Sequence, residues 1–426
     1  MSAAFLAIAL LVALIAGVPI AVALGLASIV TLILFADQSL VVLAQRFFSA
    51  VQTPGLLAIP FFVLAGTFMT TGGVAKRMIA FANALVGRFH GGLAMAALLA
   101  CALFAAVSGS SPATVVAVGS IMIGGMATSG YSKEFAAGLI CNAGTLGILI
   151  PPSIVLVVYG AATETSVGAL FVAGVVPGIL LAGALMTAVA VLAHRKGLPR
   201  QPSADWRTVV KTGREAVWGL LLVVIILGGI YLGVFTPTEA AAVSAVYALV
   251  IALFVYKDLK LRDVPGVLAE SAKVTAMLMF IIGNAMLFAF VLTTEQIPQA
   301  ASTWITELGL PPWGFLLMLN LLLIAAGSFM EATSVILIFA PIMLPIATQL
   351  GVNPVHLGII MTLNMEIGMI TPPVGLNLFV TSGMAELPVT RVVHAAAPWL
   401  VVLLAVLAVV TYVPAVSLAL PTWLGL

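Results

Sequence analysis

Hard oxygen ligands at helix breaks are the chemistry this chain offers. Ser108-Gly109-Ser110-Ser111-Pro112 interrupts one apolar run. Gly147-Ile148-Leu149-Ile150-Pro151-Pro152, with Asn142 and Thr145 just before it, interrupts another. A Pro removes a backbone donor and frees carbonyls upstream. Freed carbonyls and Ser, Thr and Asn oxygens suit a desolvated alkali cation. Ser111 is expected to cap the returning helix, with Pro112 as its first residue. The free N–H groups of that helix would attract an anion. Small residues also favour close helix approach, so a plain packing contact is the competing reading.

The pattern occurs twice. The Gly147–Pro152 run returns as Gly368-Met369-Ile370-Thr371-Pro372-Pro373, 221 residues on. The same offset relates Ile121-Met122 to Ile342-Met343 and Pro177 to Pro398, and with a two-residue slip Ala113-Thr114 matches Ala332-Thr333. Candidate sodium ligands in the first copy are Ser108, Gly109, Ser110, Ser111, Asn142, Thr145, Gly147 and Pro151. In the second copy they are Gly327, Ser328, Glu331, Thr333, Asn364, Gly368, Thr371 and Pro372. Candidate substrate contacts are Ser111, Pro112, Pro152, Thr333, Pro373 and Asn377. Glu331 and Glu366 are the carboxylates placed well inside predicted membrane segments, where an ionisable group needs a partner. They could couple an ion or proton, or cap backbone N–H groups at a break. The position of Glu366 beside the break favours capping; for Glu331, at the tip, both readings stay open.

These residues sit in a chain that is 63% hydrophobic and 7% charged, which excludes a soluble domain of 426 residues and implies a polytopic helical membrane protein. The N-terminal apolar stretch lacks a basic n-region and reads as a retained membrane helix. A net charge of +2 leaves no nucleic-acid footprint. Cys101 and Cys141 lie in apolar surroundings and read as buried small hydrophobes rather than a disulfide. No H-E-x-x-H, P-loop or nucleophile elbow is present, so neither an enzyme nor a cofactor is expected.

Arg195, Lys196, Arg200, Arg207, Lys211 and Arg214 crowd one linker, and Lys257, Lys260, Arg262 and Lys273 the next. The positive-inside rule puts both in the cytoplasm. Two spans, near 216–233 and 239–256, fit between them. Working outward, residues 1–53 hold one or two membrane helices and an interfacial arm, with the alternatives meeting at Gly17-Val18-Pro19. Residues 54–195 form the first repeat, with a re-entrant hairpin at 93–129, a broken helix at 133–162 and a span near 168–194. Residues 196–272 are the basic linker, two connecting helices and an arm. Residues 273–413 form the second repeat, with a span at 274–293, a hairpin at 313–350 and a broken helix at 355–384. Residues 414–426 are a tail. Segments 38–53, 74–90, 258–272 and 296–310 read as interfacial helices, with Arg46 a headgroup anchor. Each repeat has an odd number of crossings, so the repeats are inverted, as alternating access around a midplane site requires.

Several motifs also carry a family resemblance. Gly368 to Val380 (Gly-Met-Ile-Thr-Pro-Pro-Val-Gly-Leu-Asn-Leu-Phe-Val), Leu57-Ala58-Ile59-Pro60-Phe61-Phe62-Val63-Leu64-Ala65-Gly66, Phe329-Met330-Glu331-Ala332-Thr333, Pro341-Ile342-Met343-Leu344-Pro345-Ile346 and Thr236-Pro237-Thr238-Glu239 resemble the large membrane subunit of TRAP transporters, the tripartite ATP-independent periplasmic carriers. The resemblance spans the chain. It implies an inner-membrane elevator transporter that imports a small organic acid, mostly carboxylates, on a sodium gradient. It further implies a periplasmic binding protein that delivers the substrate, and a separate small four-helix membrane subunit. The alternative is a stand-alone sodium- or proton-coupled anion symporter of similar fold. An ion channel and an intramembrane enzyme are the rival classes; two asymmetric carboxylates and no polar stripe oppose the first.

Overall fold

The computed structural model describes residues 2–35, 40–297, 299, 300, 303 and 310–426, and all regular structure among them is helical. Nine helices among the described residues are long and apolar enough to cross a membrane. The chain opens with α1 (Ser2–Ile15), α2 (Ile20–Phe35) and α3 (Leu40–Val51). The first two are separate helices. Gly17 turns between them at φ 77°, a conformation a side chain would strain. Arg46 of α3 lies over the ring of Phe290, with 4.6 Å to its centroid, so this cation is held against protein.

The first repeat contains α4 (Ala58–Thr71), α5 (Val74–Val86), α6 (Gly92–Ser108), α7 (Ser111–Thr128), α8 (Lys133–Ala143), α9 (Ile154–Thr163) and α10 (Val167–Lys196). Connecting helices α11 (Trp206–Tyr231) and α12 (Pro237–Val250) follow, and then α13 (Val264–Thr294). Thr236 and Glu239 close the turn before α12 as a reciprocal capping box. The second repeat ends with α14 (Pro312–Phe329), α15 (Ala332–Gln349), α16 (Pro354–Gly368), α17 (Leu376–Ala385) and α18 (Val389–Tyr412). The 414–426 tail carries α19 (Ala415–Trp423), which docks on α10.

One expected boundary is absent. The arm at 258–272 and the span at 274–293 merge, from Val264 onward, into one helix of 31 residues. Its Pro265 sits in the first turn, where a missing N–H costs nothing, and no Gly–Pro break follows. The arm expected at 296–310 falls mostly outside the described residues.

The packing is crossed. The arms of the first hairpin, α6 and α7, pack on each other, whereas α14 and α15 each pack chiefly on α16 and other helices. The returning arm α7 packs on α17, and the returning arm α15 packs on α9. Each hairpin thus leans on the far half of the other repeat's broken helix. Helices α2, α3 and α4 pack on α13, and α11 and α12 pack on α5 and α4. Outward faces carry exposed Ile8, Leu11, Ile179, Leu321 and Val401, as a lipid-facing surface should.

Candidate functional site

The first tip is turned by Gly109 at φ 61°, so that α6 ends and α7 begins within three residues. A Cβ on Gly109 would stand 2.7 Å from Pro152 O, and one on Gly147 would stand 2.5 Å from Ser110 O and 2.7 Å from Thr114 Oγ1. Glycine is therefore needed where tip meets break. The contact is rich in oxygen. Ser110 O accepts from Thr114 Oγ1 at 2.9 Å, and the Ser108 and Thr114 hydroxyls lie 2.8 Å apart. Across the gap, Ile154 N donates to Gly109 O at 3.3 Å. Pro151, Pro152 and Ser153 are all buried. Ser153 Oγ donates to Ile148 O at 2.5 Å and accepts from Leu156 N, capping α9.

The second tip meets its break in the same way. Gly375 N donates to Ser328 O at 3.2 Å, the bond corresponding to Ile154–Gly109, and Val374 N adds another at 3.1 Å. A Cβ on Gly368 would lie 2.7 Å from Gly327 Cα, so this approach is also backbone on backbone. Both Pro–Pro bonds, Pro151–Pro152 and Pro372–Pro373, are cis. Yet Pro372, Pro373 and Val374 are exposed.

A side chain fastens the two copies together. Asn377 Nδ2 donates to Ser111 Oγ at 2.7 Å, and both residues are fully buried. This corrects the expected cap. The cap position of α7 belongs to Ser110, and Ser111 is already helical. The Ser111 hydroxyl is engaged by Asn377 of the other repeat instead. Asn377 and Ser111 were both candidate substrate contacts; the structure brings them together. Pro112 and Thr333 sit in the first turns of α7 and α15, and Pro152 and Pro373 sit at the two breaks.

Of the two carboxylates, Glu331, for which both readings stood open, caps a helix, and Glu366, expected to cap the break, does not. Glu331 is the N-cap of α15: its Oε2 accepts from Ser334 N at 3.3 Å and from the Thr333 hydroxyl. Capping is therefore found at the tip. Glu366 is fully buried, and neither oxygen has a hydrogen-bond partner among the described residues. The break supplies no donor to it, because the nearby N–H groups are used: Met369 N on Met365 O, Thr371 N on Gly368 O and Gly375 N on Ser328 O. Asn142 Oδ1, Asn364 Oδ1, Asn377 Oδ1 and Ser334 Oγ are likewise buried and without partners among the described residues. A buried polar group without a partner costs about 1–3 kcal/mol. These oxygens lie beside the tips and breaks, where an external ligand would be stabilising, whereas Asn83 Oδ1, Tyr231 OH and Ser271 Oγ, also buried without partners among the described residues, lie elsewhere.

Thr145 donates to Asn142 O at 2.7 Å, and Thr371 donates to Ile367 O at 2.6 Å, so both hydroxyls bond back to the end of the preceding helix. Asn142 reaches Gly138 O and Ala396 O. Asn364 donates to Asn320 Oδ1 at 2.8 Å, and Asn320 donates to Thr411 Oγ1 at 3.1 Å. His356 is buried between Ser417 Oγ and Thr411 O. Thr114 and Asn320, which bond to residues of the first tip and to Asn364, and Thr381 of α17 are residues that the motifs did not single out. Thr114 was visible as the repeat partner of Thr333; Asn320 and Thr381 were simply polar residues on apolar helices.

Comparison with known proteins agrees over nearly the whole chain. Residues 7–416 match the family described as tripartite ATP-independent periplasmic transporter, DctM component. The chain is 63% identical over 403 residues to the C4-dicarboxylate TRAP transporter large permease protein DctM of Pseudomonas aeruginosa, covering 95% of this chain and 94% of that one. It is 55% identical to the protein of the same name from Vibrio cholerae, covering 100% and 98%. Its backbone is similar to the crystal structure of the Alcanivorax borkumensis YdaH transporter, with a TM-score of 0.60 at 15% identity, covering 90% of this chain and 87% of that one.

Proposed function

The chain belongs to the DctM component family of the tripartite ATP-independent periplasmic transporters, and on that premise we propose that it imports a C4-dicarboxylate by sodium symport. It is a multi-pass protein of the inner membrane. As the large permease it works with a periplasmic binding protein, which hands over the substrate, and a small membrane subunit, which packs beside it. The substrate class is supported by the two relatives above, both named for C4-dicarboxylates.

One observation carries the mechanistic part. The same tip-to-break unit is built twice, and Asn377–Ser111 ties the two units into one body. In this reading each unit offers a sodium ion backbone carbonyls and hydroxyls held close by glycine contacts. Ser110 O, Thr114 Oγ1 and Asn142 Oδ1 serve the first, and Ser328 O, Thr371 and Asn364 Oδ1 the second. A cation there stabilises the closed tip by offsetting the crowded oxygens. The N-terminal turn of α7, whose cap residue Ser110 makes no side-chain hydrogen bond to it, supplies free N–H groups toward a substrate carboxylate. The tied unit then moves against the surrounding helices as an elevator, with the repeats inverted about the midplane. Ligand binding biases that motion only through its different affinity for the two end states.

The test is uptake into proteoliposomes containing both membrane subunits. Accumulation of a labelled C4-dicarboxylate is expected only with an inward sodium gradient and the cognate binding protein together. Accumulation on a proton gradient alone, or without the binding protein, rejects this reading in favour of a stand-alone symporter.

A further inference from the structure

A basic pocket lies far in sequence from the tips and breaks, where α11 meets α5 and the end of the α12 segment. Its volume is about 730 Å³, and its lining includes Arg77, Trp206, Arg207, Lys211, Arg214 and Trp218. We propose that this pocket holds the anionic phosphate headgroup of a membrane phospholipid.

The spacing comes first. Residues 207, 211, 214 and 218 recur at intervals of four, three and four, so they share one face of α11. Three cations within about two turns repel one another and favour a bound anion. Among the described residues, Arg207, Lys211 and Arg214 form no ion pair. Arg77 is committed: its Nη1 pairs with Asp258 Oδ2 at 2.5 Å, and its guanidinium lies 3.8 Å over the Tyr256 ring. It forms a wall, and the three α11 cations face a ligand. Glu215, also in the lining, offsets one of them.

The pocket is held in shape. Tyr256 OH donates to Glu215 O at 2.6 Å, and Tyr247 OH donates to Trp218 O at 2.7 Å, fastening α11 to the α12 segment along this face. Gly219 lets α11 close on Val74 and Met78 of α5, where a Cβ would lie 2.7 Å from Val74 Cγ1. The depth is set by tryptophan. Trp206 is 74% exposed and Trp218 40%, and they bracket the cations one on each side. Such rings settle at the headgroup level, and a basic pocket between membrane helices on the positive side is suited to an anionic headgroup. Val210 and Val255 add an apolar surface for the lipid's glycerol and first methylenes.

The full chain in neutral detergent would be titrated with dihexanoyl-phosphatidylglycerol, dihexanoyl-phosphatidylcholine and sodium phosphate, reading the thermal midpoint. The phosphatidylglycerol should raise the midpoint at concentrations where the other two do nothing. In Arg207→Gln/Lys211→Gln/Arg214→Gln the half-maximal concentration should rise about tenfold or more. Lys260→Gln/Arg262→Gln, on the other basic linker, should behave like the unsubstituted chain. An equal response to sodium phosphate would reassign the pocket to a free anion and overturn the lipid. An unchanged phosphatidylglycerol response in the triple variant would overturn the site. A triple variant that instead loses the small membrane subunit on purification, with its lipid response intact, would make this face a protein interface and also overturn it.

Discussion

The two helix breaks share a motif and differ in what surrounds them. Pro151, Pro152 and Ser153 are buried, whereas Pro372, Pro373 and Val374 are exposed. A cause can be read one helix further on. Gly174 and Gly178 let α10 close over the first break: a Cβ on Gly174 would lie 2.6 Å from Leu149 O, and one on Gly178 2.7 Å from Ile150 Cγ1. The repeat offset puts Ala395 and Trp399 at those positions of α18. Trp399 packs on Phe135 instead, with ring centroids 5.7 Å apart. A second difference lies inside the break. Thr145 satisfies its hydroxyl on Asn142 O, while its repeat counterpart Glu366 has no donor among the described residues. The repeat thus sets where the backbone breaks, and the neighbouring helix decides whether the break is sealed or open.

The largest expected effect breaks the tip contact itself. Gly147→Ala drives a Cβ into the Ser110 carbonyl and should cost about 2–3 kcal/mol, lowering the thermal midpoint in detergent by several degrees. Gly183→Ala, with open space around its Cβ, should change little. Equal midpoints for the two variants would refute the close approach. Next comes the tie between copies. Asn377→Leu leaves Ser111 Oγ without its donor, at about 1–3 kcal/mol, and should slow uptake as well as lower the midpoint. An uptake rate unaffected by it would mean the copies act independently.

Thr145 and Glu366 sharpen the contrast further. Thr145→Val should cost about 1 kcal/mol and leave the sodium dependence of uptake alone. Glu366→Gln removes a group that is hard to bury charged, so its stability should stay within about 0.5 kcal/mol of the parent or rise. We expect sodium-driven accumulation to be lost in that variant. Full accumulation would return Glu366 to a structural role. The smallest effect on stability is expected from accessibility. Val374→Cys should react with a maleimide in the folded protein and Ser153→Cys should not; labelling of both would dissolve the sealed-versus-open distinction. The same chemistry reports inversion, with Gly130→Cys labelling from the cytoplasm and Gly351→Cys from the periplasm. Labelling of both from one side would refute it.

Much of this architecture was legible from residue order. Composition required a helical membrane protein, the Gly–Pro–Pro repeat located both breaks, and the Ser-Gly-Ser-Ser-Pro cluster located the first tip. These signals are local: a Pro removes its own N–H, and a Gly adopts its own φ, whatever lies nearby. Partnership between distant side chains is not local. Nothing near Ser111 in the chain announces Asn377, 266 residues away, as the donor to its hydroxyl. Nothing beside Glu366 announces that the N–H groups of Met369, Thr371 and Gly375 are already used, so that it caps nothing, while Glu331, which begins its own helix, does cap. A helix terminus has free donors by construction, whereas a residue inside the last turn has them only if packing leaves some unpaired. The merger of the 258–272 arm into α13 has the same origin, since an amphipathic stretch becomes a separate helix only where the chain is made to turn. What the sequence by itself determined is where this backbone breaks; which oxygens are satisfied at each break was decided by the helices that close over it.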